Sequence, residues 1–463
     1  MLKRLFYLFG AILLILLFSN IWGCSSEPLP KNIIIVSLDT LRADHLGCYG
    51  YAVKTSPNID ALAQKAVRFS NVYSQSSWTL PSHMSFFTSR YPSFHKVLTN
   101  EHGLSPDIKT LAEIFKQKGY LTAAFTEGGN LFKVHGFGRG FDTYQEKSED
   151  IDLTFKQAFA WLKKRKSKQS FLLFIHTYEI HTPYLRTELA APEKRGRLPE
   201  VLRVNDFLYD IMYGRFALTE TEKDYIRSLY DGGVLHADRY VGGLLKLLEE
   251  LKMTQTTRLL IFSDHGEDLW DHGVSPAHGL TLYQDQLHVP VILYDPSLTG
   301  PRIVEGPVEL IDFMPTLLAM HNIAIPPGLQ GRNILPNIVQ ESACSKRAVF
   351  SEGTDYGPNK IAVIKDGYKY IYIPEPDKVK RNLSMKDLGR IEKNLSVQAL
   401  FDLKADPLER NNIFTQKKQK ANELQQLLEE SYISRSRSIP EVSVKQALMH
   451  DQMERLRSLG YMQ

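Results

Sequence analysis

Cysteine is scarce in this chain, with three in 463 residues, at positions 24, 48 and 344. That is too few for a disulfide framework, and Cys48 and Cys344 are expected to be two buried thiols. Charge of one sign is lacking too. The net charge of +4 is small for the length and forms no concentrated basic face, so no nucleic-acid partner is expected. There are no internal repeats and no low-complexity linkers, which excludes a solenoid or a bead-and-string protein. Long apolar runs are missing except at residues 5–18, slightly short for a membrane span.

What is there is a globular composition, 43% hydrophobic and 23% charged, and enough chain for one large domain plus a smaller one. The first 23 residues stand apart. Lys3 and Arg4 precede the apolar run and small residues follow it, the pattern of a secretory signal. Ile21-Trp22-Gly23-Cys24 resembles a bacterial lipobox, with Trp22 bulkier than usual. Lipid on Cys24, with residues 24–30 as a tether, is expected in preference to a signal anchor that spans the bilayer. Either leaves the protein in the cell envelope, outside the cytoplasm.

From residue 31 the chain alternates strand-like and helical stretches, which argues an α/β fold. Residues 31–38 (KNIIIVSL) and 258–263 (RLLIFS) are apolar, β-branched runs of the kind that form buried parallel strands. Each stops at acidic residues, Asp39-Thr40 and Asp264-His265-Gly266-Glu267. Open α/β sheets put their sites beyond the carboxyl ends of strands. Residues 76–90 (SSWTLPSHMSFFTSR) are expected to be a short loop, Trp78 to Pro81, feeding a helix. A hydroxyl there faces unpaired N–H groups and the positive end of the dipole, a good place for an anionic ester. Asp39, Thr79, Asp264 and His265 would then converge as two carboxylates, a hydroxyl and an imidazole, a set that suits a divalent cation such as Zn, Mn or Mg. Residues 58–67 have helical spacing with Asn58 as cap, residues 107–119 and 151–166 are further helices, and residues 130–139 are expected to be a surface loop. Residues 198–230, rich in Tyr, Phe, Asp and Arg, are expected to form short helices over the site, followed by a long helix at 231–251.

The chain resembles the sulfatase family of the alkaline-phosphatase superfamily. The likeness rests on residues 41–51 (LRADHLGCYGY), on Thr79-x-Pro81-Ser82-His83 with Thr88-Ser89-Arg90 in the register of the Cys-x-Pro-Ser-Arg motif, and on Asp264-His265-Gly266-Glu267. It continues through residues 289–296, 309–317, 330–336 and 400–412, so it spans nearly everything from 31 to about 414. The resemblance implies a mixed, mostly parallel sheet flanked by helices over 31–340, and a small antiparallel-sheet subdomain with terminal helices over 341–463. It also implies that His181, in His176-Thr-Tyr-Glu179-Ile-His181, contacts the ester group. His278 is implied as a second contact, a proton donor to the leaving group, or a ligand of a second metal. His272 is balanced between a ligand and a loop residue, and Glu179 and His176 are weaker candidates.

Three departures bear on chemistry. Sulfatases make their aldehyde nucleophile from Cys or Ser, and Thr79 cannot be converted. Thr40 replaces the second Asp of the opening pair, and His83 and His288 stand where Arg is usual. A single Ca²⁺ held by four hard oxygens is therefore doubtful, and a nitrogen-tolerant metal, one ion or two (Zn, Mn, Mg or Ca), is expected. The implied activity is metal-dependent hydrolysis of a phosphate or sulfate ester, phosphoester favoured, with Thr79 as nucleophile and His83, His181 and His278 sharing substrate contact. The substrate is a small-molecule, lipid or glycan ester, and a lipid anchor gives the membrane as partner. The alternatives are a sulfuric-ester hydrolase proper, a phosphotransferase on lipid or glycan, or a binding protein on the same scaffold. Retention of Asp39, Thr79, Asp264 and His265 together weakens the last.

Overall fold

The structure, a computed structural model, describes residues 31–459 apart from 148–149, 166–168, 200–210, 212–215, 273–276, 345–346, 376–378, 381–395, 435–443 and 446–447. The signal segment, the tether and Cys24 lie outside the described residues. An eight-stranded sheet organises the molecule. In chain order its strands are β1 (Asn32–Leu38), β2 (Val67–Tyr73), β3 (Leu121–Phe125), β4 (Thr143–Gln145), β5 (Phe171–Thr177), β6 (Thr257–Phe262), β7 (His288–Tyr294) and β8 (Arg302–Glu309). Across the sheet they run β4-β3-β5-β1-β6-β7-β2-β8. All neighbours are parallel except those of β7, which is antiparallel to both β6 and β2.

β1 shows why these sequences form central strands. Every residue from Asn32 to Leu38 is buried, as expected where helices cover both faces. Ile33 and Ile35 point to one face, packing with Trp78, Leu80, Met84 and Phe86. Ile34, Val36 and Leu38 point to the other, against Tyr230, Val234, Val241 and Leu244. This is the period-two alternation of a strand feeding two cores. The helix on the first face is α2 (Thr79–Thr88); the helix on the second is α5 (Glu220–Glu250), started by a capping box between Thr219 and Glu222. Between them in the chain lie α3 (Leu111–Gln117) and α4 (Ile151–Lys164).

Several boundaries differ from the sequence reading. The helix of α1 is Pro57–Ala63 with Ser56 at its N-cap, not Asn58. Proline's fixed φ claims the first position, and Asn58 instead gives its side-chain and backbone N–H to Asp238 at 2.7 and 3.0 Å. The Thr79–Pro81 segment is not loop but the first turn of α2, which tolerates proline because those N–H groups lack intrahelical partners. α3 is shorter than expected because Thr110 and Glu113 close a capping box at its start. Residues 220–230 are not an excursion but the opening turns of α5, and most of 200–215 lies outside the described residues. The stretch 130–139 is less superficial than expected: two short 3-10 turns bury Asn130 and His135. Cys344 is buried as expected, but Cys48 is only half-buried.

After α6 (Phe313–Met320) the chain builds a four-stranded antiparallel sheet, Val349–Gly353, Lys360–Lys365, Tyr368–Tyr372 and Gln398–Asp402. Helix α7 (Lys418–Leu428) covers it through Ala421, Leu424 and Leu428, and α8 (His450–Ser458) sends Leu456 into the main core. The small sheet also braces the approach to α2. Ser76 Oγ donates to the Glu352 carbonyl at 2.9 Å, and Glu352 N–H to the Gln75 carbonyl at 2.9 Å.

Candidate active site

The pairing register brings the site together. In β1, Ser37 is opposite His176 of β5 and Phe262 of β6. The residues just beyond, Asp39 and Asp264, therefore emerge at the same level, with His176 beside them. Thr79 reaches this level as the first residue of α2, and its hydroxyl lies 3.2 Å from Asp39 Oδ2 and 3.2 Å from His265 Nε2. The head of α2 is tied to the strand end by Ser82, whose Oγ donates to the Asp264 carbonyl at 2.7 Å.

Asp39 sits on a strained turn. Thr40 holds φ at +58°, a region costly for a β-branched residue. Tyr230 of α5 holds that turn by donating its hydroxyl to the Thr40 carbonyl at 2.8 Å and accepting the Arg42 N–H at 2.9 Å.

One ligand atom from each of Asp39, Asp264 and His265 lies within 4.8 Å of the others, all fully buried. Asp39 Oδ1 and both oxygens of Asp264 have no hydrogen bond. A buried carboxylate without donors is costly. Burial and the Asp264 charge hold the Asp39 carboxyl well above the usual range. Burial would raise Asp264 as well, but the charges on His265 and His83 outweigh it and hold Asp264 below its ordinary value. Two facing carboxylates of which only one readily ionises are relieved by a cation. Two carboxylates, an imidazole and a hydroxyl fit a divalent metal that accepts nitrogen.

The imidazoles form a graded set. His265 Nδ1 donates to the Gly266 carbonyl at 2.8 Å, so its Nε2 lone pair faces Thr79. The His278 ring lies 4.5 Å from that of His265 and 4.8 Å from that of His181. Glu267 supports His278, with Oε1 3.0 Å from Nδ1, and accepts the Tyr184 hydroxyl at 3.0 Å. Burial pushes His265 and His278 down to about 4 and His181 to about 3, and lifts Glu267 to about 7.

Two sequence expectations change here. His83 does not face a substrate: its Nε2 lies 2.9 Å from Ser37 Oγ, and its Nδ1 is 3.0 Å from the Thr79 carbonyl and 3.2 Å from Asp264 Oδ2. Both nitrogens are used beneath the acidic pair, so His83 positions Asp264 and α2. His176, weakly ranked from sequence, instead belongs to the cluster, with Nε2 3.1 Å from Asp39 Oδ2. The readable signal was its place at the end of a strand that had to neighbour β1. Glu179 is turned away, paired with Arg186 and with His236 at 2.9 Å. His288 donates to the Ser70 carbonyl at 2.9 Å, serving the sheet rather than the site.

A family model for the sulfatases matches residues 31–323. The chain is 25% identical over 425 residues to an ulvan-active sulfatase of Formosa agariphila, covering 84% of this chain and 78% of that protein. Its fold is similar to a structure solved in complex with its substrate D-glucosamine-2-N,6-O-disulfate, with a TM-score of 0.69 and 19% identity, over 89% of this chain and 99% of that one. A phosphonate monoester hydrolase of Agrobacterium radiobacter shares the fold with a TM-score of 0.66 and 18% identity, over 89% and 96%.

Proposed function

The chain belongs to the sulfatase family of ester hydrolases, and from that premise we propose that it is a metal-dependent phosphoesterase whose nucleophile is Thr79. The observation that carries this reading is the Thr79 hydroxyl, 3.2 Å from both Asp39 Oδ2 and His265 Nε2 at the head of a helix. Members of the family bind a divalent metal, and here Asp39, Asp264, His265 and the Thr79 hydroxyl would hold it. When bound, the metal would lower the pKa of the hydroxyl and neutralise non-bridging oxygens of the ester.

The chain's own groups do the rest. The first-turn N–H groups of α2 face the anion. Thr79 Oγ forms a bond to phosphorus as the bond to the leaving alkoxide breaks, in line. The Thr79 proton leaves through Asp39 Oδ2, the acceptor of its hydrogen bond. His278, oriented through Nδ1 by Glu267 and protonated beside the anionic ester, gives its proton to the leaving alkoxide, and His181 packs beside it at the ester. Burial holds both rings neutral, and an anionic ester beside them favours the protonated form. Water, or an acceptor alcohol, then releases the group from Thr79.

A second reading, sulfate-ester hydrolysis, is favoured by the relatives, among them the ulvan-active sulfatase. Soluble protein lacking residues 1–24 would be supplied with Zn²⁺ or Mn²⁺ and assayed on an aryl phosphate, an aryl phosphodiester and an aryl sulfate. Turnover of a phosphoester, reduced at least about 10³-fold in Thr79→Ala, is expected. Cleavage of the sulfate alone would overturn the phosphoester assignment. We propose further that lipid on Cys24 tethers the enzyme at the cell envelope. Cys24→Ser should move the full chain from the membrane fraction to the soluble one, and an unchanged distribution would reject the anchor.

A further inference from the structure

We infer that Asp268, His272 and Asp285 form a second cation site, apart from the Asp39–Asp264–His265 cluster, which takes a transition-metal dication and ties the loop bearing Glu267 and His278 to the C-terminal subdomain. One ligand atom from each residue lies within 4.8 Å of the others. Asp268 is 0% and Asp285 7% exposed. Asp268 Oδ1 accepts the Asp271 N–H at 2.9 Å, but its Oδ2 has no hydrogen bond, and neither has Asp285 Oδ1. Two buried carboxylates of one cluster thus each keep an oxygen without a donor, which costs free energy unless a cation relieves it.

The histidine supplies a separate argument. His272 Nε2 donates to the Leu408 carbonyl at 3.0 Å, and the ring is fixed by stacking on Tyr283, centroids 3.7 Å apart and planes 13° from parallel. With its hydrogen on Nε2, a neutral ring points the Nδ1 lone pair at Asp285 Oδ2, 3.4 Å away. Lone pair faces lone pair unless a proton or a metal lies between them. A proton there would repair that contact but leave Asp268 Oδ2 and Asp285 Oδ1 without donors, whereas a dication held by the three residues would also balance the charge of both carboxylates. Arg42 and Lys369, the cations nearby, are already paired, Arg42 with Asp44 at 2.7 Å and Asp271 at 2.5 Å, and Lys369 with Glu409 at 2.9 Å.

Two carboxylates with one imidazole suit Mn²⁺ or Zn²⁺ better than Ca²⁺. The placement gives such an ion a structural consequence. Asp268 N–H pairs with the Ala277 carbonyl at 2.9 Å, closing the loop just before His278. Asp285 lies on the short helix Gln284–Leu287, whose first N–H donates to Glu409 at 2.6 Å. His272 reaches Leu408, so one ion would join the catalytic loop, this helix and the 408–409 turn.

The full chain, stripped with chelator, would be titrated with Mn²⁺ or Zn²⁺ alone, and bound metal counted by elemental analysis after desalting. Two equivalents are expected in the wild type and one in Asp264→Asn. One is expected in Asp285→Asn and in His272→Gln, and none in Asp264→Asn combined with His272→Gln. Metal should still raise the Tm of Asp264→Asn and should not raise that of the double variant. His272→Gln removes no buried carboxylate and keeps the test open if Asp285→Asn fails to fold. A single wild-type equivalent that disappears in Asp264→Asn would overturn the site, leaving a protonated Asp268 beside a His272–Asp285 ion pair. So would counts in Asp285→Asn and His272→Gln that match the wild type.

Discussion

Two of the places where the described residues bury charge solve the problem in opposite ways. In the C-terminal sheet, Lys369 Nζ lies 2.9 Å from Glu409 Oε1, both side chains fully buried. Each ion has its opposite, and Glu409 Oε2 takes a backbone N–H as well. At the carboxyl ends of β1 and β6, Asp39 and Asp264 share no lysine or arginine, only imidazoles, and three of their four oxygens have no hydrogen bond. The first arrangement is neutral as a pair and serves the fold. The second leaves buried carboxylate oxygens without donors, a condition that a bound cation would relieve, as expected of a site rather than a brace.

The contrast can be broken from either side. The largest effect belongs to the site. Asp39→Asn should lower kcat/KM by about 10²-fold or more, through loss of the metal and of the Thr79 contact. Without metal it should leave Tm unchanged or raised, because the repulsion with Asp264 is removed. A fall in metal-free Tm of the size seen for a core truncation would show that Asp39 is a structural charge after all.

Lys369→Met should do the reverse. It leaves Glu409 buried and unpaired, at a cost of about 3–5 kcal/mol in unfolding free energy. Steady-state kcat should stay within about twofold of wild type below the melting range. Denaturant unfolding with activity measured on the folded fraction checks both. Loss of activity without loss of stability would make this pair part of the site.

The smallest effect sharpens the comparison with a third buried carboxylate. Glu127, 4% exposed, has Arg455 at 3.8 Å and the Tyr178 N–H at 3.2 Å, and burial lifts its carboxyl from 4.5 to about 7. The folded state therefore holds the proton more tightly than the unfolded one between those values. Stability contributed by this group is highest below pH 4.5, falls as pH rises toward 7, and is level above that. Glu127→Gln removes the loss, so it should stabilise at pH 8 relative to wild type by up to about 3 kcal/mol and confer no gain at pH 4. A Tm difference that does not change with pH would mean that Glu127 does not titrate in this window.

Much of the site was legible because its residues sit where apolar strands stop. Asp39 and Asp264 each follow a run of β-branched residues, and a parallel sheet must align such ends. The hydroxyl of Thr79 was legible from the helix that follows it. His176 and His83 were misjudged for one reason. Both are single histidines in apolar stretches, and nothing local distinguishes a ring turned toward the cluster from one in contact with substrate. Only the register of β5 on β1 places His176 beside Asp39, and only the packing of α2 over the sheet engages both nitrogens of His83. The second cation site was less legible still, since Asp268, His272 and Asp285 are brought together by a loop closure and a short helix, and the Leu408 contact is more than a hundred residues away in the chain.

The sequence by itself determined the buried runs 31–38 and 258–263, the α/β alternation and the convergence of Asp39, Thr79, Asp264 and His265. Period-two burial, caps and turn residues act within a few positions of themselves. The tertiary structure decided the contrast between the two aspartates, the engagement of both His83 nitrogens beneath them, the membership of His176 and Glu267, and the pairing of Lys369 with Glu409. Those outcomes depend on distances between groups far apart in the chain and on how completely water is removed around them. Both are properties of packing, and no local pattern of residues carries them.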